Sequence, residues 1–424
     1  MKVILFEDEH VGDLYPLTCV RPVFDLRCGV FTLKQKVERK FPGAALYLET
    51  RDELDGVAAE RHGEGKVNSH EAVRADDDIL LVTAGAILTG EPASYTAEEA
   101  VGVTGEGRFV WAFLKAETIQ GLDAAAAIGI AQEALGTLAT RAVDDVLIRH
   151  PWDLVARNAG QIIADYEDHY TAERKSTPLK GAAMIGPGEN LYVGENVEIQ
   201  PHTWIDCREG PVILSDGVTV TAHATIYGPC FVGEGAQLLA AIVRGGCSIG
   251  TGCSIGGEIE ASILHANVEK RHAGFLGHSY VCEWVDIGAL TASCDRTGDC
   301  GTVKLQVSGH PVDGGAAKLG SFIGDHARIG AGAILDAGSV VGILCDLAAG
   351  PGALPKFIPC FACCRGGRIA EGPGLSQSLE TARMAMSRRG QELTEPLTDL
   401  IAQTEEITRQ ERTAEIEGGS SKLL

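Results

Sequence analysis

Ile323, Ile329, Leu335 and Val341 fall six residues apart without a slip, a period that no α-helix or ordinary strand keeps. A small residue stands four places after each of the first three openers: Ala327, Ala333 and Ser339. Gly324, Gly330 and Gly342 directly follow three of the four. The pattern predicts a parallel β-helix whose coil has three short faces, one hexad to each. The aliphatic opener points into a narrow core, the small residue fits a tight corner, and Gly or Asp takes the turn. Val193, Ile199 and Ile205 form an earlier set, with Val197 and Thr203 at the small position; Ile249 and Ile255 form another around Cys253. The stretches 206–247 and 257–322 break the period. They are expected to be coils carrying loops, where repeat folds often hold a binding site.

Composition fits that core: 53 Gly and only 5 % aromatics suit an interior too narrow for large rings. A net charge of −22 argues against nucleic acid and anionic membranes as partners. An anionic substrate then needs a local cluster of Lys and Arg. The first nine residues, a short apolar run and then Glu7, Asp8 and Glu9, read as neither a signal peptide nor a membrane span. Thirteen scattered Cys read as reduced core residues of a cytoplasmic protein. Cys360, Cys363 and Cys364 lack a second Cys/His pair at zinc-finger spacing, and no metal ligands are assigned.

The first 180 residues have another rhythm. Strands are expected at Lys2–Phe6, Ala44–Glu49, Asp78–Ala84 and Phe109–Leu114, with helices at Asp123–Ala139 and Val146–Tyr166. Alternation of this kind predicts an α/β, Rossmann-like domain with a mostly parallel sheet. The last residues, Ser376–Glu417, read as an amphipathic helix pair broken at Pro396, expected to be a solvated tail. The expected division is 1–180, 181–370 and 371–424.

An α/β domain ahead of a β-helix, together with Leu14–Pro22, Leu26-Arg27-Cys28-Gly29 and Pro151-Trp152-Asp153 with Asn158, resembles a divergent branch of one family. These are the GlmU-type sugar-1-phosphate nucleotidyltransferase/acetyltransferases. The resemblance implies a left-handed β-helix. It also brings departures. The Gly-rich triphosphate loop is replaced by Phe6–Asp13, with one Gly and four acids. The Lys expected after Pro22 is Val23, and Thr83–Ala86 has no metal-binding acid. Slow or absent nucleotidyl transfer is therefore expected, with Arg21, Pro22, Arg27 and Lys36 as the nucleotide-binding set and Mg2+ required if this part is active. Arg21 would stand in for the missing Lys.

The segment Ile263–Gly277 resembles the family's acetyltransferase stretch, and Ile287–Asp295 followed by Lys304 resembles the next one. The resemblance puts the catalytic His at His272 and substrate contacts at Phe275, Asp286, Asp295 and Lys304; Lys270, Arg271, Lys304 and Lys318 are the cations that would replace the family's phosphate-binding Lys. Acetyl-CoA would bind between subunits of a homotrimer. The chemistry suits a His, since an amine attacking a thioester must lose a proton and imidazole titrates in the right range. Glu260 falls where the family has a phosphate-binding Lys, Asp286 and Asp295 fall on two Asn positions, and Phe275 replaces a Tyr. The implied function is a sugar-nucleotide transferase: acetyl-CoA-dependent acylation of an aminosugar phosphate, and nucleotidyl transfer from a nucleoside triphosphate. The alternatives are one activity with the other domain a binding or regulatory relic, or a β-helix metallo-hydratase using His223, His272 and His278.

Overall fold

The computed structural model of the chain describes residues 1–73, 77–133, 138–171, 181–307 and 310–421. The apolar run Lys2–Phe6 forms strand β1, parallel to β2 (Ala45–Glu49) on one side and β3 (Ile79–Thr83) on the other. The sheet is completed by β4 (Ala100–Val103), β5 (Phe109–Leu114) and β6 (Ala139–Ala142), in the order β2-β1-β3-β5-β4-β6. β5 runs antiparallel to both its neighbours. Every residue of β3 is buried, as in a strand covered on both faces. α1 (Leu33–Lys40) and α2 (Asp55–His62) follow β1 and β2.

Two helices differ from the sequence expectation. α3 covers only Ala124–Glu133; Ala139 already belongs to β6, and 134–137 lie outside the described residues. Val146–Leu147 pairs with Ala86–Ile87 as a short strand, and α4 (Pro151–His169) begins later. Pro151 pushes His150 out of helical conformation and is itself suited to the first helical position. Asp153 then accepts from the backbone N–H of both Arg149 and His150 at 2.9 Å.

From Ala183 the chain winds as a parallel β-helix. The first face is a nine-stranded ladder from Leu191–Val193 to Phe357–Ile358. The second runs from Glu198–Ile199 to Ala362–Arg365, the third from Ala183–Ile185 to Ile334–Leu335. Inside the first face, Val232, Ile249, Leu264, Val281, Ile323, Val341 and Ile358 stack with no exposure. Ala327, Ala333 and Ser339 are likewise fully buried. At Gly250 a Cβ would run into the His265 carbonyl of the next coil, so only Gly fits.

The expected irregular stretches are mostly regular coils. Cys230 pairs with Cys247 but Ser248 pairs with Ile263, so the coil length changes and a fixed six-residue count loses phase. The inserted segment is 294–321, carrying an antiparallel hairpin of Lys304–Val307 with His310–Asp313.

Each face has a different neighbour. Outward residues of the first face pack on the α/β part: Phe231 on Phe31, Ile162 and Tyr166; Tyr280 and Phe322 in one cluster with Leu26 and Trp152. Helix α5 (Leu375–Ser387) lies along the second face, and Arg389 just after it reaches Glu269 at 2.9 Å. The tail is not solvated. Ala382, Met386, Leu400 and Ile401 of α5 and α6 (Glu395–Ser421) share a core with Cys19, Val20 and Val57 of the α/β part and with Ile343 and Phe361 of the β-helix. Pro396 stands in the first turn of α6, so the break precedes it. The third face carries an outward ladder through Trp204, Thr225, Ile242, Glu258, Phe275, Ala292 and Ile334. Trp204, Ile242 and Ile334 are 39 %, 38 % and 43 % exposed, which marks this face as the open one.

Candidate functional site

β1 lies between β2 and β3, so the chain passes from β1 to one neighbour and then crosses back to the other; open α/β sheets place their binding crevice at such a switch point, here the carboxyl ends of β1 and β3. The acids after β1 do not all face it. Glu7 is spent as a staple: its carboxylate accepts from Val23 N at 2.8 Å and Thr50 Oγ1 at 2.6 Å, and pairs with Arg51 at 3.2 Å. Asp8 accepts from His10 N and from Thr83 Oγ1, each at 2.9 Å. A carboxylate therefore stands at the end of β3, where the local sequence has none. His10 Nδ1 lies 2.9 Å from an Arg149 amino group, and Asp13 lies 3.6 Å from that guanidinium. Sequence reasoning missed Arg149; its one signal is its place just ahead of Pro151.

The expected nucleotide-binding set is not gathered in this crevice. Arg21 is 1 % exposed and pairs with Asp325, with Glu283 3.6 Å away, both on the β-helix. Pro22 is buried beside it. The Arg27 backbone N–H donates to the Tyr280 hydroxyl at 2.9 Å, and its guanidinium lies 5.4 Å over the Phe231 ring. Lys36 pairs with Asp165 of α4 at 2.5 Å. A buried cation requires compensation, and here Arg21 and Lys36 have a carboxylate within the protein, while Arg27 has the Val30 carbonyl and the Phe231 ring. Arg21 and Arg27 join the α/β part to the β-helix, and Lys36 ties α1 to α4; none presents a free cationic face to a triphosphate.

His272 sits at the corner between Glu269–Lys270 on the second face and Phe275–Gly277 on the third. The segment continues the coil rather than interrupting it. His272 and Arg271 are exposed, and neither makes a side-chain hydrogen bond among the described residues. Lys270 is different. It occupies an inward position between Ile255 and the next coil, is 2 % exposed, and donates to the carbonyls of Gly256 (2.9 Å), Gly274 (3.2 Å) and His272 (3.4 Å). Burial pulls its ammonium down to about 8. It fixes the turn that bears His272 and cannot reach a substrate phosphate.

The other expected contacts are spread out. Asp286 lies across the corner in the groove under α5; enclosure, then the neighbouring Glu269, push its carboxyl upward. Phe275 is half-buried on the open face. Asp295 accepts from His278 Nδ1 at 2.7 Å and stands with the Phe275 ring over Gly277, so these two expected residues are brought together. Lys304 is on the hairpin, beside Gly338 and away from the His272 corner. Glu260, at the family's Lys position, is paired with Lys318 at 3.0 Å. His223 stacks on His202 with centroids 5.4 Å apart.

Residues 3–175 match the family model described as "Sugar nucleotidyl transferase". The bifunctional protein GlmU of Synechococcus elongatus is 28 % identical over 202 residues, covering 42 % of this chain and 40 % of that protein. GlmU of Thermotoga petrophila is 31 % identical over 156 residues, covering 35 % and 32 %. A bifunctional sugar-1-phosphate nucleotidylyltransferase/acetyltransferase of Sulfurisphaera tokodaii is 34 % identical over 73 residues, covering 17 % and 18 %. The chain is GlmU-like. It spans less than half the length of these curated relatives. Among solved structures, a UDP-N-acetylglucosamine acyltransferase from Campylobacter jejuni aligns at 12 % identity over 54 % of this chain and 95 % of that one, with a TM-score of 0.27.

A GlmU-like α/β part raises the matter of Mg2+. Among the described residues no group of three or more His, Cys, Asp or Glu is arranged to hold a metal ion. Mg2+ usually takes one or two protein carboxylates and completes its shell with phosphate oxygens and water. Asp8 fits that need, because Thr83 and the His10 N–H fix its carboxylate at the mouth of the crevice.

Proposed function

We propose that this chain is a sugar-nucleotide transferase with two chemistries. The observation that carries the reading is the match of residues 3–175 to sugar nucleotidyl transferases, on a chain that continues as a β-helix. Residues 1–180 would transfer a nucleotidyl group to a sugar phosphate. Asp8 would hold Mg2+, whose charge offsets that of the triphosphate, and Arg149 would supply the nearby cation. Residues 181–370 would transfer an acetyl group from acetyl-CoA to an aminosugar phosphate, with His272 taking the amine proton. His272 stands beside the open third face, so a neighbouring copy seated there would enclose it, and we propose a homotrimer on that basis. Residues 371–424 would brace the two parts. Thirteen free thiols, mostly packed in cores, suit the reducing cytoplasm.

The test is mass-spectrometric product analysis with acetyl-CoA, UTP or dTTP, a panel of sugar phosphates and Mg2+. Asp8→Asn should remove nucleotidyl products alone, and His272→Ala acetylated products alone. No product of either kind, from folded protein across the panel, would refute the proposal. A second reading, with nucleotidyl transfer as the sole activity, draws support from the exposed, unbonded His272 imidazole. Nucleotidyl products without acetylated ones would establish it.

A further inference from the structure

A cavity of about 510 Å³ lies where the α/β part, the β-helix and the tail meet, away from both the crevice and the His272 corner. It is large enough for a small organic molecule. Its wall brings Asp25 and His62 from the first, Trp284 and Asp325 from the second, and Gln391 and Glu392 from the link between α5 and α6. The floor is an ionic network. Arg21 pairs with Asp325 Oδ1, which also accepts from Glu283 N at 3.1 Å. His265 Nε2 meets the Asp25 carbonyl at 2.9 Å, which requires a proton on that nitrogen. Its Nδ1 then faces Glu283 Oε1 at 2.9 Å, acceptor against acceptor unless a further proton is bound. Burial disfavours that proton on His265.

The lining is short of positive charge. Asp25, Glu38, Glu60, Glu283, Asp325 and Glu392 line the cavity, against Lys34 and Arg61, with Arg21 behind. Asp325 is 2 % exposed, and its Oδ2 has no N–H or O–H donor, with only the weakly donating Cys282 thiol beside the carboxylate. A buried carboxylate oxygen without a strong donor costs free energy that a cation would recover. The carboxylates and imidazoles are not arranged to hold a metal ion. Trp284 adds an aromatic wall, stacked parallel to His326 at 6.2 Å. An aromatic face beside carboxylates is the chemistry that recognises an ammonium group.

We propose that this cavity binds a small organic ammonium ion, with Asp325, Glu283 and Trp284 as its recognition set. Aminosugars and polyamines both carry that group. Because the ligand would touch all three parts of the chain, its binding tightens their association. The site is independent of the activities proposed above.

The test is calorimetric titration of the full chain at neutral pH with glucosamine, putrescine and glucose. Glucosamine or putrescine should bind, the stronger of the two naming the source, and glucose should bind at least about tenfold more weakly than glucosamine where the sugar is the ligand. Asp325→Asn should weaken binding by about tenfold or more. Because Asp325 also pairs with Arg21, Gln391→Trp serves as the second variant: it fills the mouth from an exposed position and should abolish binding while the fold survives. No binding of either amine in the millimolar range overturns the proposal. So does glucose matching the better amine, or a folded Gln391→Trp protein that binds as tightly as the parent.

Discussion

Lys270→Met tests the reading of the His272 corner most directly. The methionine keeps the length of the side chain and removes its charge. In the folded chain burial holds the ammonium at about 8, against 10.5 for a free lysine. At about 1.4 kcal/mol per unit, the folded state bears a penalty of about 3 kcal/mol whenever both states are protonated. The penalty is complete below pH 8. Between pH 8 and 10.5 the unfolded chain holds a proton that the folded chain has released, so stability rises with pH there. Above 10.5 both states are neutral and the penalty is gone. Urea denaturation at half-unit steps from pH 7 to 10.5 should therefore show the parent gaining about 3 kcal/mol relative to Lys270→Met. Other alkaline groups are common to both proteins and cancel in the difference. At pH 7 the variant loses three carbonyl partners of a charged donor, at about 1.5 kcal/mol or more each, which outweighs the burial penalty it escapes, so it should be the less stable of the two. Parallel profiles over the whole range would refute the reasoning, because they would mean that Lys270 is hydrated like a surface lysine.

Arg21→Ala leaves Glu283 and Asp325 buried without their cation and should cost roughly 3–5 kcal/mol, read as a fall in melting temperature; nucleotide KM in the remaining folded protein should not change. His326 is held at about 4 by burial, so from pH 6.5 down to 4 only the unfolded chain takes up a proton there, and stability should fall by about 3 kcal/mol. His326→Asn, which tolerates the local φ of 57°, should flatten that part of the acid profile; an unchanged profile would count against it. His272→Ala should lower acetyl transfer by about 10²-fold or more, with assembly retained on light scattering. Full turnover in the folded variant would remove His272 from the mechanism.

The β-helix was legible wherever coils follow one another at constant length. Ile323, Ile329, Leu335 and Val341 all point inward and are at most 2 % exposed. It was illegible where a coil drops residues, because the register shifts while the fold does not. Lys270 shows the limit at a site: its neighbours suggested a phosphate contact, but its place in the inward ladder is set by pairing with Ile255 on the preceding coil. Arg21 shows it again. Its partner Asp325 is 304 residues away, and no local pattern distinguishes a joint from a binding cation. Asp8 is one of four acids in Phe6–Asp13 that the sequence does not tell apart; the bond from Thr83 sets it at the end of β3, where the local sequence has no acid.

The shared core of the α/β part, the β-helix and the two last helices bears on how the chain is made. Cys19, Val20, Leu54 and Val57 take much of their apolar cover from Ile343, Leu344 and Phe361 and then from Met386, Leu400 and Ile401. During synthesis that patch stays wet while more than 300 further residues emerge, and a nascent chain of this kind is open to wrong partners. Ending the chain near residue 370 removes α5 and α6 from that core and should yield a protein that exposes the patch and aggregates.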